Sequence, residues 1–238
     1  MGKSEKSIIK FIVEQHTRLS AIIRYNNTPK IVGESVAEHS YYVTFLAMVL
    51  ADYVREQGMT IDKERVMEMA LVHDLEEIIS GDIIRVLKSG GFKSELDRMN
   101  EKSMQHMTEG LAGAYAARYY SCWKEAKDKL TKEALLVDLS DLCSAIIYCI
   151  REIHLGNNYF KEILEYCIGL LPAFFKKIPE VKKLLQELSS YCLSYLKEDE
   201  KLYDSINSAV RRFYEYGTED EEKEGSSGGN RKSEKEIL

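Results

Sequence analysis

Four residues scattered along the chain carry most of its chemical potential: His39 in Glu-His-Ser, the adjacent pair His73-Asp74 in Leu-Val-His-Asp-Leu-Glu-Glu, and Asp141 in Leu-Ser-Asp-Leu-Cys. Two imidazoles and two carboxylates form a mixed nitrogen and oxygen set of the kind that holds one divalent transition metal and leaves positions open for water and a phosphate oxygen. Each has a blander reading taken singly. A lone histidine on an apolar helical face is more often a satisfied core residue, and a His-Asp dipeptide arises by chance. What weighs against chance is that all four lie in strongly periodic apolar segments, where an unpaired carboxylate is costly to bury. A shared cation accounts for them together, so the set points to a metal-dependent hydrolase.

Helices must supply these positions. Only three prolines occur in 238 residues, and the stretches between them are rich in Leu, Ala, Glu, Lys and Met with apolar residues three to four apart, which predicts an all-α chain. An opening helix is expected over about Ser4 to Arg24, followed by a loop, Tyr25 to Glu34, whose Asn, Pro and Gly residues break the period. Ser35-Val-Ala-Glu38 is a capping box, which makes Glu38 structural and puts His39 in the first turn of a helix reaching about Gly58. The next helix is predicted from about Lys63 to Ile79, with Val66, Ala70, His73 and Glu77 on one face and Asp74 beside them. Further helices are expected over about Lys93 to Tyr120 and Thr131 to His154. The latter carries Asp138 and Asp141 one turn apart, and spacing alone does not choose between them. Several more helices fill about Asn158 to Tyr216 with packing residues. Residues 217–238 are charged and Gly/Ser-rich, and read as a disordered tail.

Composition narrows the class further. With 45% hydrophobic residues the chain can bury one sizeable core, and a single domain plus a tail is the simplest organisation. A net charge of −6 gives no basic footprint for a nucleic-acid polymer, so a small substrate is expected. Five cysteines without Cys-x-x-Cys spacing, and no apolar stretch long enough for a signal peptide or membrane span, predict a reduced cytoplasmic protein.

With these residues assembled, the chain resembles the HD-domain phosphohydrolases, whose pattern is a His, a His-Asp pair and a distant Asp on successive helices. It is most similar to the YfbR-like 5′-deoxynucleotidases, from Arg24 and Glu38-His39-Ser40 through His73-Asp74-x-x-Glu77-x-x-x-Gly81-Asp82 and Lys88 to Asp141, and again in Arg151 to Tyr159. The likeness covers about residues 8–160. It implies an HD-domain helical bundle over 1–216 with extra C-terminal helices from about 158, and metal ligands His39, His73, Asp74 and Asp141. It also implies that Glu77 handles the proton of the attacking water, that Arg24 binds phosphate, and that Asp82 and Lys88 contribute to nucleotide binding. Tyr25 departs from the Trp that related bacterial enzymes carry there to exclude ribonucleotides, so preference for deoxy sugars is left open.

One metal is expected, because dinuclear relatives need further histidines and only His106 and His154 lie downstream. Mn²⁺ or Co²⁺ is favoured by analogy, while Fe²⁺ or Zn²⁺ also suits the donor set. The expected reaction is hydrolysis of a (deoxy)nucleoside 5′-monophosphate to nucleoside and phosphate, and a homodimer is expected from the resemblance. A triphosphate hydrolase on the same site is the nearest rival. The few basic residues near the phosphate, Arg24 and Lys88 with Lys30 and Arg85 as further candidates, favour the monophosphate. A non-catalytic nucleotide-binding sensor module would instead have lost a ligand or Glu77.

Overall fold

A computed structural model of the protein describes residues 8–83, 91–109, 111, 113–195 and positions 204 and 208; the expected substrate residue Lys88 and the acidic tail lie outside the described residues. The helices, in chain order, are α1 (Ile8–Leu19), α2 (Val36–Glu56), α3 (Lys63–Val72), α4 (Glu77–Ser80), α5 (Lys93–Thr108), α6 (Gly113–Asp128), α7 (Lys132–His154), α8 (Phe160–Leu170), α9 (Pro172–Lys177) and α10 (Lys182–Tyr195). Among the described residues no strand forms beyond one isolated antiparallel bridge, and no helix is long and apolar enough to cross a membrane.

Local chemistry fixes where the main helices begin. At α2 the Ser35 hydroxyl accepts the Glu38 N–H at 3.2 Å, while Glu38 accepts the Ser35 N–H at 2.8 Å, which satisfies two donors that a helix start leaves orphaned. Asp62 caps α3 and Thr131 caps α7 by accepting the N–H three residues on, from Arg65 and Ala134. The long helices α2 and α7 pack on each other and on α3, with α8 against α7. Val43, Ala47 and Leu50 of α2, Val66 and Met69 of α3, and Leu136, Leu139 and Ile146 of α7 form the buried centre. A smaller cluster joins Phe11, Leu75, Met104, Met107 and Trp123. All five cysteines are buried thiols.

Three boundaries differ from the sequence expectation. The first helix ends at Leu19, so Arg24 stands beyond it in the loop, where its neighbour Ile23 bridges Ser35 and the Arg24 N–H donates to the Glu34 carbonyl at 2.9 Å. The expected helix over 93–120 is two helices, parting where Glu109 takes extended backbone beside the helix-weakening Gly110. The expected helix over 63–79 is regular only to Val72. From there the backbone tightens to i→i+3 hydrogen bonds, Leu75 to Val72, Glu77 to Asp74, Ile78 to Leu75 and Ile79 to Glu76, before Gly81, at φ +71°, turns the chain away. Such tightening brings residues three apart onto the same side of the turn, the relation of Glu77 to Asp74.

The loop between α1 and α2 is tied to the far end of α7. Glu152, fully buried, accepts the N–H groups of Ile31 and Val32 at 2.8 Å each and the Asn157 amide at 2.6 Å; Asn157 also donates to the Pro29 carbonyl. Tyr148 donates its hydroxyl to the Val32 carbonyl at 2.6 Å. This explains the Arg151-to-Tyr159 segment as an anchor for the loop that carries Arg24. Replacing Glu152 with Ala is expected to cost about 3–6 kcal/mol, the scale of its two charge-assisted hydrogen bonds to the loop backbone. Denaturant unfolding of the two proteins checks this, and a loss below about 1 kcal/mol would show that the loop is held elsewhere.

Candidate functional site

His39 leaves the first turn of α2 with no exposed surface. Its Nε2 lies 3.1 Å from Asp141 Oδ1 of α7 and 3.6 Å from Asp74 Oδ2. On the other side of the ring, Nδ1 meets an Arg24 guanidinium nitrogen at 2.9 Å and the Ser144 hydroxyl at 3.3 Å. A guanidinium only donates, so this contact leaves the His39 proton on Nε2, while Ser144 offers an acceptor for the opposite tautomer.

His73 sits where α3 ends. Its Nδ1 lies 2.7 Å from the Ala70 carbonyl, which only accepts, so Nδ1 carries the hydrogen and the lone pair of the neutral ring is on Nε2. That atom faces Asp74 Oδ2 at 3.1 Å. Ligand-forming nitrogens of His39 and His73 and a carboxylate oxygen of Asp74 all lie within 4.8 Å of one another. Both Nε2 atoms are buried and face the Asp141 and Asp74 carboxylates, an arrangement that a shared cation would satisfy.

Charge on the four groups follows their surroundings. Burial and the Arg24 charge push His39 down to about 4. Burial opposes charge on His73 too, but Asp74 beside it prevails and raises the ring to about 9. Burial also works against the Asp74 and Asp141 carboxylates, yet the adjoining imidazoles hold both below the usual carboxylate range, helped at Asp74 by Lys127. The Asp141 side chain is 42% exposed against 15% for Asp74, which makes the α7 side of the cluster the side open to solvent. Asp138 turns elsewhere and pairs with Lys129.

Arg24 is held in place by Glu34, whose carboxylate accepts its guanidinium at 2.8 Å, and reaches to 3.9 Å from Asp141. Tyr25 has left-handed backbone at φ +53° and stacks on Tyr148 with centroids 5.2 Å apart. Its N–H donates to Asp82 Oδ2 at 2.7 Å, so Asp82 ties the Arg24 loop to the end of α4. Lys30 donates to the Tyr25 carbonyl within the same loop. Glu77, buried at the start of α4, lies near enough to Lys127 to help raise its pKa. Glu34, Ser144, Glu76 and Lys127 escaped the sequence reading. Glu34 and Glu76 are conspicuous only as carboxylates beside a capping box and the His-Asp pair, and nothing in the sequence marks Ser144 or Lys127.

The sequence matches the YfbR-like 5′-deoxynucleotidase family over residues 11–192. It is 30% identical over 200 residues to the 5′-deoxynucleotidase HDDC2 of Homo sapiens, covering 79% of this chain and 88% of that protein. The HDDC2 protein of Danio rerio is 33% identical over 162 residues, 66% of this chain and 72% of the relative. Among solved structures, an HD-domain phosphohydrolase from Listeria innocua superimposes with a TM-score of 0.75 at 25% identity, covering 84% of this chain and 98% of the other. With the fold, the helical cluster and the family match in agreement, the chain belongs to the YfbR-like 5′-deoxynucleotidases and is an HD-domain hydrolase.

Proposed function

We propose that the protein is a metal-dependent phosphomonoester hydrolase converting (deoxy)nucleoside 5′-monophosphates to nucleoside and phosphate. The observation that carries the metal site is the convergence of the buried Nε2 atoms of His39 and His73 on two carboxylates. The substrate class is supported by the relatives named 5′-deoxynucleotidase.

His39, His73, Asp74 and Asp141 would hold one divalent ion, with Mn²⁺ or Co²⁺ favoured. When bound, it supplies Lewis acidity toward water and a phosphoryl oxygen at neutral pH. The protein side chains do the rest. Moving the His39 proton to Nδ1, onto Ser144, frees Nε2 to ligate and turns that face of the ring into a donor, which releases the Arg24 guanidinium toward the substrate phosphate. Arg24 can then hold two phosphate oxygens, while Glu34 limits how far it swings. Glu77, three residues on from Asp74 across the tightened turn, takes the proton of the attacking water. Asp82 acts through the Tyr25 loop, beside which the nucleoside is held, and Lys88 completes the phosphate contacts. A reduced, cytoplasmic setting suits the buried thiols, and a homodimer completes the reading.

Metal uptake should be pH-dependent with a defined sign. Without metal His73 is protonated below about 9 and His39 is neutral above about 4, so at pH 7 loading must displace the His73 proton. Calorimetry in buffers of different ionisation enthalpy should find about one proton released per ion at pH 7, with affinity rising roughly tenfold per pH unit and levelling above about 9. Release of no proton at pH 7 would contradict this reading, showing either that His73 is already neutral without metal or that it is not a ligand.

The function itself is tested by phosphate release from ribo- and deoxynucleoside mono- and triphosphates with each divalent ion. Inorganic phosphate from dAMP or another deoxynucleoside monophosphate is expected. Release of pyrophosphate or triphosphate from dATP, with monophosphates untouched, would overturn the reading.

A further inference from the structure

The last turn of α6 brings a lysine against the carboxylate oxygen of Asp74 that does not face the histidines. Lys127 Nζ lies 3.2 Å from Asp74 Oδ1 and 2.7 Å from Glu76 Oε1, while Asp74 Oδ2 faces the Nε2 atoms of both His73 and His39. Glu76 is itself 1% exposed, and its second oxygen accepts the indole N–H of Trp123 at 2.7 Å. The hydrogen-bonded chain therefore runs from a buried indole through a buried carboxylate and an ammonium to the Asp74 side chain.

We propose that Lys127 is a positioning residue for the metal site: by holding Oδ1 it fixes the rotation of the Asp74 carboxylate, so that Oδ2 alone is presented to the ion. The inference rests on reading the His39, His73, Asp74 and Asp141 cluster as a metal centre. A carboxylate torsion is soft and roughly two-fold, and Asp74 follows His73 in a tightened turn where it has little helical backbone to restrain it. An ammonium bound to one oxygen removes that freedom. Trp123 and Glu76 in turn fix the ammonium, because the Glu76 carboxylate has one oxygen committed to each neighbour. Outer partners of this kind orient metal-ligating carboxylates, and their loss typically weakens metal binding 10- to 100-fold.

The competing role for Lys127 is to serve Glu76 alone, as the counter-charge a buried carboxylate needs, and the two roles separate in a charge-neutral double substitution. Lys127→Met by itself strands a buried charge and is uninformative. Glu76→Gln with Lys127→Met leaves the local net charge unchanged and keeps an acceptor for the indole, while Asp74 loses its donor. Emission from Trp123, the single tryptophan of the chain, verifies that the indole stays buried. Should that pair not fold, Glu76→Gln with Lys127→Leu carries the same test.

Isothermal titration of the full-length, metal-stripped protein with Mn²⁺ is expected to show affinity about 10- to 100-fold weaker in the double variant, and near wild type for Lys127→Arg, which keeps a charged donor. Wild-type affinity in the double variant would reduce Lys127 to a counter-charge and overturn the proposal. If the wild-type protein takes up no Mn²⁺, the reading of the site as a metal centre fails and the inference falls with it.

Discussion

Glu77→Gln is expected to bind metal and nucleotide as the wild-type protein does and to turn over roughly 10²- to 10⁴-fold more slowly, the range removed with a positioned general base. The substitution keeps the volume and most hydrogen-bonding capacity of a buried side chain, so the fold should survive it. Its charge sits one tightened turn from Asp74, not among the ligand atoms that lie within 4.8 Å of one another. The effect should therefore fall on kcat, with KM little changed, because a proton acceptor acts in the transition state and not in substrate binding. Steady-state kinetics beside a metal titration reads both quantities, and full activity in the variant would remove Glu77 from the mechanism.

Asp74→Ala should fail at the earlier stage. Asp74 contributes the oxygen that lies between the two imidazoles and carries the contact to Lys127. Without it the remaining donors are two rings and the half-exposed Asp141, while Lys127, still paired with Glu76, leaves a positive charge beside them. Metal affinity is expected to drop by more than the roughly 10- to 100-fold that follows loss of an outer partner, and turnover to approach the uncatalysed level. Metal content after dialysis, paired with phosphate release, checks this. The contrast with Glu77→Gln is informative: one variant loses the ion and the other keeps it while losing the reaction.

The depth of His39 was legible because the capping box fixes the start of α2, whereas Asp141 was singled out by the family resemblance and not by any local signal. Spacing could not separate Asp141 from Asp138, since both lie on accessible turns of one helix. The difference comes from Lys129, which follows α6 and pairs with Asp138. The tightened turn after Val72 was invisible for another reason: over so few residues, spacings of three and of three to four give the same apolar pattern. The split between α5 and α6 had a visible signal in Gly110 and Gly113, but the surrounding periodicity ran through it.

Polar partners drawn from distant helices were the least legible. Glu76 has no intrinsic reason to be buried beside the His-Asp pair until Trp123 and Lys127 arrive from α6 to answer both its oxygens. Glu34 likewise becomes intelligible only once the bridge at Ile23 and Ser35 delivers Arg24 to it. Pairing of this kind is decided by topology, which hydrophobic periodicity does not encode.

The most direct test of the whole account is anomalous diffraction at the manganese edge from crystals of the Mn²⁺-loaded protein. One peak is expected, within roughly 2.0–2.3 Å of His39 Nε2, His73 Nε2, Asp74 Oδ2 and a carboxylate oxygen of Asp141. A peak elsewhere, two peaks in the cluster, or an ion that leaves His39 or Asp141 uncoordinated would contradict it.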